Sequence, residues 1–365
     1  MKRKIRVLWF GVARSPYNDF LFSRLSQKYD FVAIFQKISI QTHPWKLEKP
    51  PYRELYIRKH WPQVLSLIPW ADVTVMAAWN DPLYVALIPF LKSPKAFWTD
   101  TPNPAKRPLL KRELRKLVIS WVLNHFDQVW GTGKPGVEML IRLGAKKEKT
   151  VEFPFFVDLE PFLQVTEQMK NEAKILKEKW AKDQTVFLGA GQLASKKRYG
   201  DAIRALALMK SQNSVLWLAG AGPEEQHLKN LARILGVSER VVFMGWLQPR
   251  EMEIAFLASD ALVHPASFDP FPTVVLQAMA WGKPVIGTDV CGTVIDRVEE
   301  GINGFIVPEG DIKALARAMD QIASDPQKRT EMGKRARQKA ELYPVDLAFE
   351  KIENLYALAK TSPLG

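Results

Sequence analysis

The stretch VHPASFDPFPTVVLQAMAWGKPVIG, residues 263–287, contains the local signals that decide the fold. Apolar residues 261–264 predict a short strand, and residues 265–271 predict a loop that leads into a helix. Pro272 favours the first position of that helix, because proline lacks the N–H that would be unpaired there. Gly282 suits the left-handed position that ends a helix, and Val285 begins a second strand. The order strand, loop, helix, strand predicts one unit of a parallel α/β sheet.

The loop of this unit places polar groups at the carboxyl edge of the predicted sheet. Ser267, Asp269 and Phe271 precede the helix, and Pro272 and Thr273 form its start. A helix N-terminus has unpaired N–H groups and a partial positive charge, which suits a phosphate. Ligands of open parallel sheets bind at this edge. We therefore predict an anion-binding site here.

Length and composition predict a two-domain globular protein from a reducing compartment. The chain has 365 residues, which is long for one hydrophobic core, and 47% of them are hydrophobic. Its single cysteine, Cys291, excludes an internal disulfide framework. No apolar run approaches the roughly 20 residues of a spanning helix. Arg6 interrupts the apolar start of the chain, which favours a first strand over a signal peptide.

The charge balance favours anionic partners. The chain has 52 Lys and Arg against 39 Asp and Glu, a net charge of +13. The net charge alone does not distinguish among nucleotides, nucleic acid and an acidic membrane surface as the partner. The sequence contains no zinc-ligand spacing, no RNA-binding aromatic signature and no helix-turn-helix pattern, so we predict no nucleic-acid partner.

Apolar runs alternate with helical patterns in both halves of the chain, and each half has six predicted strands. This alternation predicts parallel sheets covered by helices on both faces. Residues 152–162, EFPFFVDLEPF, contain two prolines and begin without helical periodicity, so we interpret them as a hinge. The predicted domains are residues 1–160 and residues 161–344.

The stretch at residues 263–287 resembles the donor-site signature of family-4 retaining glycosyltransferases. In that family two glutamates stand eight positions apart, with Phe-Gly after the first and Ala-Met-Ala-x-Gly-x-Pro-Val after the second. Residues 278–285, AMAWGKPV, match the last motif, whereas Asp269 and Gln277 replace the glutamates and Pro272 replaces the glycine. The resemblance covers nearly all of the second half and is weak in the first. It implies an α/β GT-B fold, two facing doubly wound Rossmann-like domains with a cleft between them, and a last helix, at about 345–365, that crosses back onto the first domain.

The resemblance also implies roles for the replaced residues. Asp269 keeps the carboxylate that holds the donor sugar, on a side chain one methylene shorter. Phe271 keeps its N–H, whereas Pro272 has none. Gln277 accepts ribose hydroxyls through its carbonyl oxygen and can also donate. The alternative is a degenerate loop, but the intact spacing and flanking helix favour a working site.

Further segments follow the family's order of motifs. Residues 189–198 read GAGQLASKKR, with Gln192 in place of the family's arginine and Lys197 in the position of its lysine. A glycine-containing loop with Lys197 and Arg198 suits a nucleotide diphosphate, and the alternative is a solvated turn. The donor-binding residues implied by the resemblance are Gly11, Gly191, Gln192, Arg198, Gly220, Trp246, Ser267, Phe271, Pro272, Thr273, Gln277 and Gly292. Gly220 permits close approach of the nucleotide, and Trp246 either stacks on the base or is simply a buried tryptophan.

The first half offers fewer candidates. Gly11 follows the first strand, and Arg14 lies nearby as a further contact for the ligand. Asp100 ends another strand, and it either positions the acceptor hydroxyl or caps a turn. A helix predicted within residues 106–126 has a basic start and an apolar face that includes Leu117 and Trp121. We expect the apolar face in the core, and the basic side suits an anionic membrane or a lipid-linked acceptor.

These features predict a retaining glycosyltransferase, in which Asp269, Lys197 and Asp100 act on the reacting groups. The partners are a nucleotide-diphosphate sugar and a glycan or lipid-linked acceptor, in cell-envelope polysaccharide or lipopolysaccharide synthesis. The chain contains no Asp-x-Asp, in agreement with a mechanism that needs no metal or other cofactor. We expect a cytoplasmic protein, with peripheral attachment to the inner face of the plasma membrane as an option. The alternative is a non-catalytic nucleotide-sugar-binding homologue or partner subunit.

Overall fold

A computed structural model describes residues 3–37, 44–78, 81–100, 109–156 and 158–361. Residues 106–108 of the predicted basic helix lie outside this description, as do the side chains of residues 109–116. By their internal contacts the residues form two units, Met1–Phe156 together with Val345–Gly365, and Val157–Pro344. No helix in the described part of the chain is long and apolar enough to cross a membrane.

The first unit contains a seven-stranded parallel sheet in the order β3-β2-β1-β4-β5-β6-β7. Its strands are β1 Arg6–Gly11, β2 Asp30–Phe35, β3 Arg53–Tyr56, β4 Val73–Met76, β5 Lys95–Thr99, β6 Gln128–Gly131 and β7 Thr150–Glu152. Its helices are α1 Pro16–Lys28, α2 Trp61–Leu67, α3 Pro82–Leu87, α4 Leu109–Asn124 and α5 Gly133–Arg142, and α15 Asp346–Thr361 at the end of the chain.

The second unit contains a six-stranded parallel sheet in the order β10-β9-β8-β11-β12-β13. Its strands are β8 Thr185–Ala190, β9 Ser214–Ala219, β10 Val241–Gly245, β11 Ala261–His264, β12 Val285–Thr288 and β13 Gly304–Val307. Its helices are α6 Glu160–Leu163, α7 Glu167–Trp180, α8 Tyr199–Leu208, α9 Glu225–Ile234, α10 Pro249–Ala258, α11 Thr273–Ala280, α12 Gly292–Arg297, α13 Ile312–Ser324 and α14 Pro326–Glu341. The predicted α/β class with two Rossmann-like domains is confirmed.

Aromatic side chains fill one face of the first sheet. Trp9 is fully buried, and its ring lies 5.3 Å from Phe22 and 5.6 Å from Trp98 between centroids. The last helix, α15, buries Ala348 and Ile352 in the same cluster. The chain terminus therefore completes the core of the first unit, because strands buried on both faces need a covering helix on each side.

The segment that we interpret as a hinge is anchored by phenylalanines on both sides of residue 157. Phe153 and Phe156 are buried in the core of the first unit. Phe162 is buried in the second unit, where its ring makes an edge contact with Trp281 at 4.6 Å between centroids. The boundary between the two units therefore falls inside this aromatic segment.

Two local predictions differ from the structure. The helix after Asp269 begins at Thr273, and Pro272 is its N-cap with ψ of 115° rather than its first residue. Gly282 does adopt the predicted left-handed conformation, with φ of 65°. Strand β3 and helix α2 were not predicted, because the sequence of β3, RELY, contains no apolar run and the seven residues of α2 are too few to establish a helical periodicity.

The expected burial of the apolar face of helix α4 is wrong for the residues that the structure describes. Leu117, Val118 and Trp121 have 68%, 53% and 44% of their surface exposed. The buried residues of this segment are Ile119, Val122, Leu123 and Phe126. The helix is apolar on more than one side, so periodicity alone did not identify the side that faces the sheet.

Candidate active site

Two loops of the second unit meet at the carboxyl edge of its sheet. Strand β8 leads through Gly191 and a single 3₁₀ turn, Ser195–Lys197, into helix α8, and strand β11 leads into the loop that contains Asp269. Because β8 and β11 are adjacent and parallel, both loops leave the same edge. The backbone N–H and the hydroxyl of Ser267 both donate to the carbonyl of Lys196, at 2.9 and 3.2 Å. These bonds fix one loop against the other.

Lys197, Asp269 and His264 form a partly enclosed polar cluster at this edge. The Lys197 ammonium donates to Oδ2 of Asp269, and His264 Nε2 lies 3.1 Å from the same oxygen. The side chains of Lys197 and Asp269 are each 14% exposed, and that of His264 is fully buried. The other carboxylate oxygen, Oδ1, accepts no hydrogen bond from the described residues. Asp269 therefore keeps one oxygen for a ligand.

The surroundings of Asp269 determine its charge. Burial alone would raise its pKa, but the His264 hydrogen bond and the Lys197 charge outweigh it and lower the pKa to about 2. Burial lowers the pKa of His264. At neutral pH the cluster therefore holds an ionised carboxylate and a neutral imidazole, whose Nε2–H donates to it. His264 Nδ1 is buried without a hydrogen-bond partner among the described residues.

The backbone around Gly292 supports the Asp269 loop. The Gly292 N–H donates to the carbonyl of Asp269 at 3.0 Å, and a Cβ atom at Gly292 would lie 1.8 Å from the carbonyl oxygen of Pro270. Only glycine allows so close an approach. Thr288 Oγ1 donates to the carbonyl of Ala266 at 2.6 Å and so holds the start of the loop. The N–H of Gly292, a residue that the resemblance placed among the donor-binding residues, is thus engaged within the loop.

Helix α11 starts beside this loop. Phe271 is buried, Thr273 is partly buried, and Gln277 is exposed one turn after Thr273. Thr293 Oγ1 donates to the carbonyl of Pro272 at 3.3 Å, which holds the capping residue in place. The Val275 N–H donates to the Pro272 carbonyl at 3.2 Å. The first two N–H groups of the helix, those of Thr273 and Val274, are the donors available to an anion.

Arg198 makes contacts with carboxylates of its own unit that the sequence did not indicate. It adopts a left-handed conformation with φ of 51° and caps helix α8. Its Nε donates to Asp201 at 2.6 Å, and its NH1 lies 3.5 Å from a carboxylate oxygen of Glu309. Two carboxylates therefore offset the charge that was predicted to serve a diphosphate.

The remaining candidates of the second unit lie at the ends of neighbouring strands. The Gly220 N–H donates to the carbonyl of Gly245 at 2.7 Å, and a Cβ at Gly220 would lie 1.9 Å from the Gly191 carbonyl oxygen. Gly220 is therefore required for contact between backbones. Gln192 and Trp246, which follow strands β8 and β10, are both partly buried. All belong to the same sheet edge as Lys197 and Asp269.

The candidates of the first unit, Gly11, Arg14 and Asp100, belong to a separate unit from this cluster. The Gly11 carbonyl accepts from the Tyr84 hydroxyl at 2.9 Å. Arg14 donates to both carboxylate oxygens of Asp19, at 3.0 and 2.6 Å. Asp100 is exposed after strand β5. Arg14 is thus engaged by its own unit.

One residue of the cluster, His264, and one residue near it, Tyr199, were not predicted as site residues. His264 is the last residue of strand β11, so its place at the sheet edge was visible in the sequence. Tyr199 begins helix α8, and its buried hydroxyl has no hydrogen-bond partner among the described residues. Burial raises the pKa of Tyr199 above its usual range. A histidine that ends a buried strand beside a predicted carboxylate was the available signal.

Comparison with known proteins identifies relatives of both sequence and fold. Residues 170–339 match the family "Glycosyl transferases group 1". The lipopolysaccharide core biosynthesis glycosyltransferase LpsE of Rhizobium meliloti is 35% identical over 153 residues, which are 42% of this chain and 44% of LpsE. The D-inositol 3-phosphate glycosyltransferase of Streptomyces avermitilis is 25% identical over 329 residues, 86% of this chain and 67% of that protein. The chain spans half or less of the length of the first curated relatives that it matches.

Solved structures share the fold over nearly the whole chain. Anabaena Alr3699/HepE, in complex with UDP and glucose, has a TM-score of 0.78 and 18% identity, with 97% of this chain and 99% of that chain covered. WaaG, a glycosyltransferase involved in lipopolysaccharide biosynthesis, has a TM-score of 0.68 and 16% identity, with 95% and 99% covered.

The matched segment contains Lys197, His264, Asp269 and helix α11. Residues 170–339 of the chain match the model of the glycosyl transferases group 1 family, and the chain has the two-domain Rossmann-like fold of the GT-B glycosyltransferases.

Proposed function

We propose that this chain moves a sugar from a nucleotide-diphosphate donor to a glycan or lipid-linked acceptor, with retention of configuration at the anomeric carbon. The observation that carries the proposal is the Lys197–Asp269–His264 cluster beside the N-terminus of helix α11. It brings a cation, helix N–H donors and an ionised carboxylate together at one sheet edge. The cation and the N–H donors can bind a diphosphate, and the carboxylate can accept hydrogen bonds from the hydroxyls of a sugar.

In this mechanism the second unit stabilises the departing diphosphate. Lys197 and the first N–H groups of helix α11 offset its negative charge without a metal ion. Asp269 and the Phe271 N–H hold the sugar, and Gln277 holds the ribose. The acceptor hydroxyl attacks the anomeric carbon from the face that the leaving group departs from. A new carbon–oxygen bond forms as the bond to the diphosphate breaks, and the leaving phosphate takes the proton.

The setting that we propose is cell-envelope polysaccharide or lipopolysaccharide synthesis, on the cytoplasmic side of the membrane. LpsE, a lipopolysaccharide core biosynthesis enzyme by its name, and HepE, whose structure contains UDP, support this choice of pathway and donor. Asp100 of the first unit is our candidate for orienting the acceptor hydroxyl.

The experiment is a thermal-shift panel of UDP, GDP, ADP and their sugars, followed by donor hydrolysis and transfer measured by mass spectrometry. We expect one diphosphate series to raise the melting temperature, and Lys197→Ala to lower turnover at least about ten-fold. Lys196→Ala is the matched control, because that neighbouring side chain is exposed. Binding without hydrolysis or transfer would favour the non-catalytic homologue, and no binding at all would refute both readings.

We propose further that the first unit attaches to an anionic membrane surface through helix α4. The exposed Leu117, Val118 and Trp121 support this, since apolar and aromatic side chains enter the boundary between headgroups and acyl chains. The same helix has a basic first half, with Lys111, Arg112, Arg115 and Lys116 in its sequence. Basic residues near the surface are attracted to anionic lipids.

Vesicle co-sedimentation tests the membrane proposal. We expect binding to phosphatidylglycerol vesicles but not to phosphatidylcholine vesicles, and loss of most binding in Trp121→Ala. Phe90→Ala is the control, because Phe90 is an aromatic residue of the same unit that is even more exposed than Trp121, at 64% against 44%. Equal loss in both variants, or equal binding to both kinds of vesicle, would contradict the proposal.

A further inference from the structure

Lys197 has an anionic partner within its own chain. Its ammonium donates to Asp269, and only 14% of each side chain is exposed. A diphosphate that binds Lys197 must therefore compete for the ammonium with a carboxylate that is itself largely removed from water. When the ammonium turns from the carboxylate to the phosphate, one anion is exchanged for another.

Asp269 has a second support that the exchange leaves in place. His264 Nε2 donates to the same carboxylate oxygen at 3.1 Å, and its side chain is fully buried, so it has no alternative position in solvent. When Lys197 moves to a phosphate, the carboxylate loses a cation but stays where it is. Its other oxygen accepts no hydrogen bond from the described residues.

The free-energy cost of leaving the Asp269 carboxylate without Lys197 depends on the ligand that binds. An enclosed charge that loses its partner is destabilised unless other donors replace that partner. A sugar hydroxyl supplies such a donor, whereas the ionised phosphate end of a free nucleoside diphosphate supplies none. The same contact with Lys197 is therefore less favourable for a free nucleoside diphosphate than for a nucleotide sugar.

We propose that Asp269 is an internal competitor for Lys197, which weakens the binding of a free nucleoside diphosphate and favours a donor that carries its sugar. His264 is the positioning residue that keeps the carboxylate in place during the exchange. The inference rests on the proposed function and deepens it, because it makes Asp269 a determinant of specificity between the donor and its spent product.

Titration calorimetry tests the inference with the nucleoside diphosphate and nucleotide sugar identified by the thermal-shift panel. We expect Asp269→Asn to bind the free diphosphate roughly ten-fold more tightly than the wild type, the size of one charge-assisted hydrogen bond that no longer has to be broken. Its affinity for the nucleotide sugar should rise less, so the preference for donor over product should shrink. Asp269→Ala should change both affinities in the same directions, and thermal melting of both variants checks that they fold.

A double-mutant cycle with Lys197→Met separates competition from general charge. In the Lys197→Met background, Asp269→Asn should no longer tighten binding of the free diphosphate. If Asp269→Asn still tightened the binding of the free diphosphate in the absence of Lys197, the effect would come from the lost negative charge alone. That result would overturn the inference.

The two proposals fail differently. If the wild type binds a diphosphate and transfers sugar, but Asp269→Asn binds the free diphosphate no more tightly, the inference falls and the proposed function stands. If neither the wild type nor any variant binds a diphosphate, the proposed function falls and the inference falls with it.

Discussion

Both units have a charged side chain in the loop after their first strand, but they use it in different ways. In the first unit Arg14 donates to both oxygens of Asp19 and to the backbone carbonyl of Glu48, at 2.6 Å. The same aspartate accepts from the Tyr52 hydroxyl at 2.5 Å. In the second unit Lys197 has one carboxylate partner, and that partner keeps an unused oxygen. A network in which each charge is compensated stabilises its own chain, whereas a network with an unused hydrogen-bond acceptor can bind a ligand.

The largest expected effect comes from comparing Gly292, beside the Asp269 loop of the second unit, with Gly11 at the end of the first strand of the first unit. Gly292→Ala should destabilise the protein by about 3 kcal/mol or more, because the new Cβ would meet a backbone carbonyl 1.8 Å away. Gly11→Ala should cost about 1 kcal/mol or less, because its Cβ would meet only the Phe35 ring at 3.4 Å. Urea unfolding measures both variants. Similar losses would show that the two glycines do not differ in the way their surroundings indicate.

Next in size is Arg14→Met. It should lower the free energy of unfolding by about 3 kcal/mol, because the partly buried carboxylate of Asp19 loses its cation. Arg53→Met is the matched control, since Arg53 is exposed in the same unit, and it should change stability by less than about 0.5 kcal/mol. If Arg14→Met instead abolished transfer in a fully stable protein, the division between a structural first loop and a functional second loop would fail.

The pH dependence of the Asp269 cluster gives a smaller effect. The pKa of Asp269 is lowered in the folded chain to about 2 from an ordinary 3.8, so the group stabilises the protein above its unfolded pKa. That contribution, about 2 kcal/mol, is lost as the pH falls from about 4 through 2. The difference in unfolding free energy between wild type and Asp269→Asn should therefore be constant from pH 5 to 7 and shrink below pH 4. If the difference in unfolding free energy between the two proteins were the same at pH 3 as at pH 7, the prediction would be wrong.

The smallest expected effect concerns Gln277. Gln277→Ala should weaken nucleotide affinity about three- to ten-fold, because one hydrogen bond to the ribose is lost at an exposed site. Gln277→Glu restores the residue of the resembled family and should bind at least as tightly as the wild type. Calorimetry with the nucleoside diphosphate is the measurement, and unaltered affinity in Gln277→Ala would remove this residue from the site.

The local order of elements was predictable because it depends on nearby residues. Apolar runs separated by helical patterns indicated parallel sheets, and Gly282 indicated a left-handed helix end, which the structure contains. The motif from Ala278 to Val285 indicated the family whose model residues 170–339 match. Lys197 and Asp269 were both named as site residues from their positions after predicted strands and from the resemblance of the surrounding motifs to the family.

The pairing of those residues was decided by tertiary structure. Lys197 and Asp269 are 72 positions apart, and they meet because β8 and β11 are neighbours in the sheet although two other strands lie between them in the chain. Glu309 reaches Arg198 from a loop after the last strand in the same way. Sequence patterns determined which residues stand at strand ends, because that depends on local periodicity. Strand order and packing decided which charges are compensated and which remain available, because those depend on contacts between distant parts of the chain.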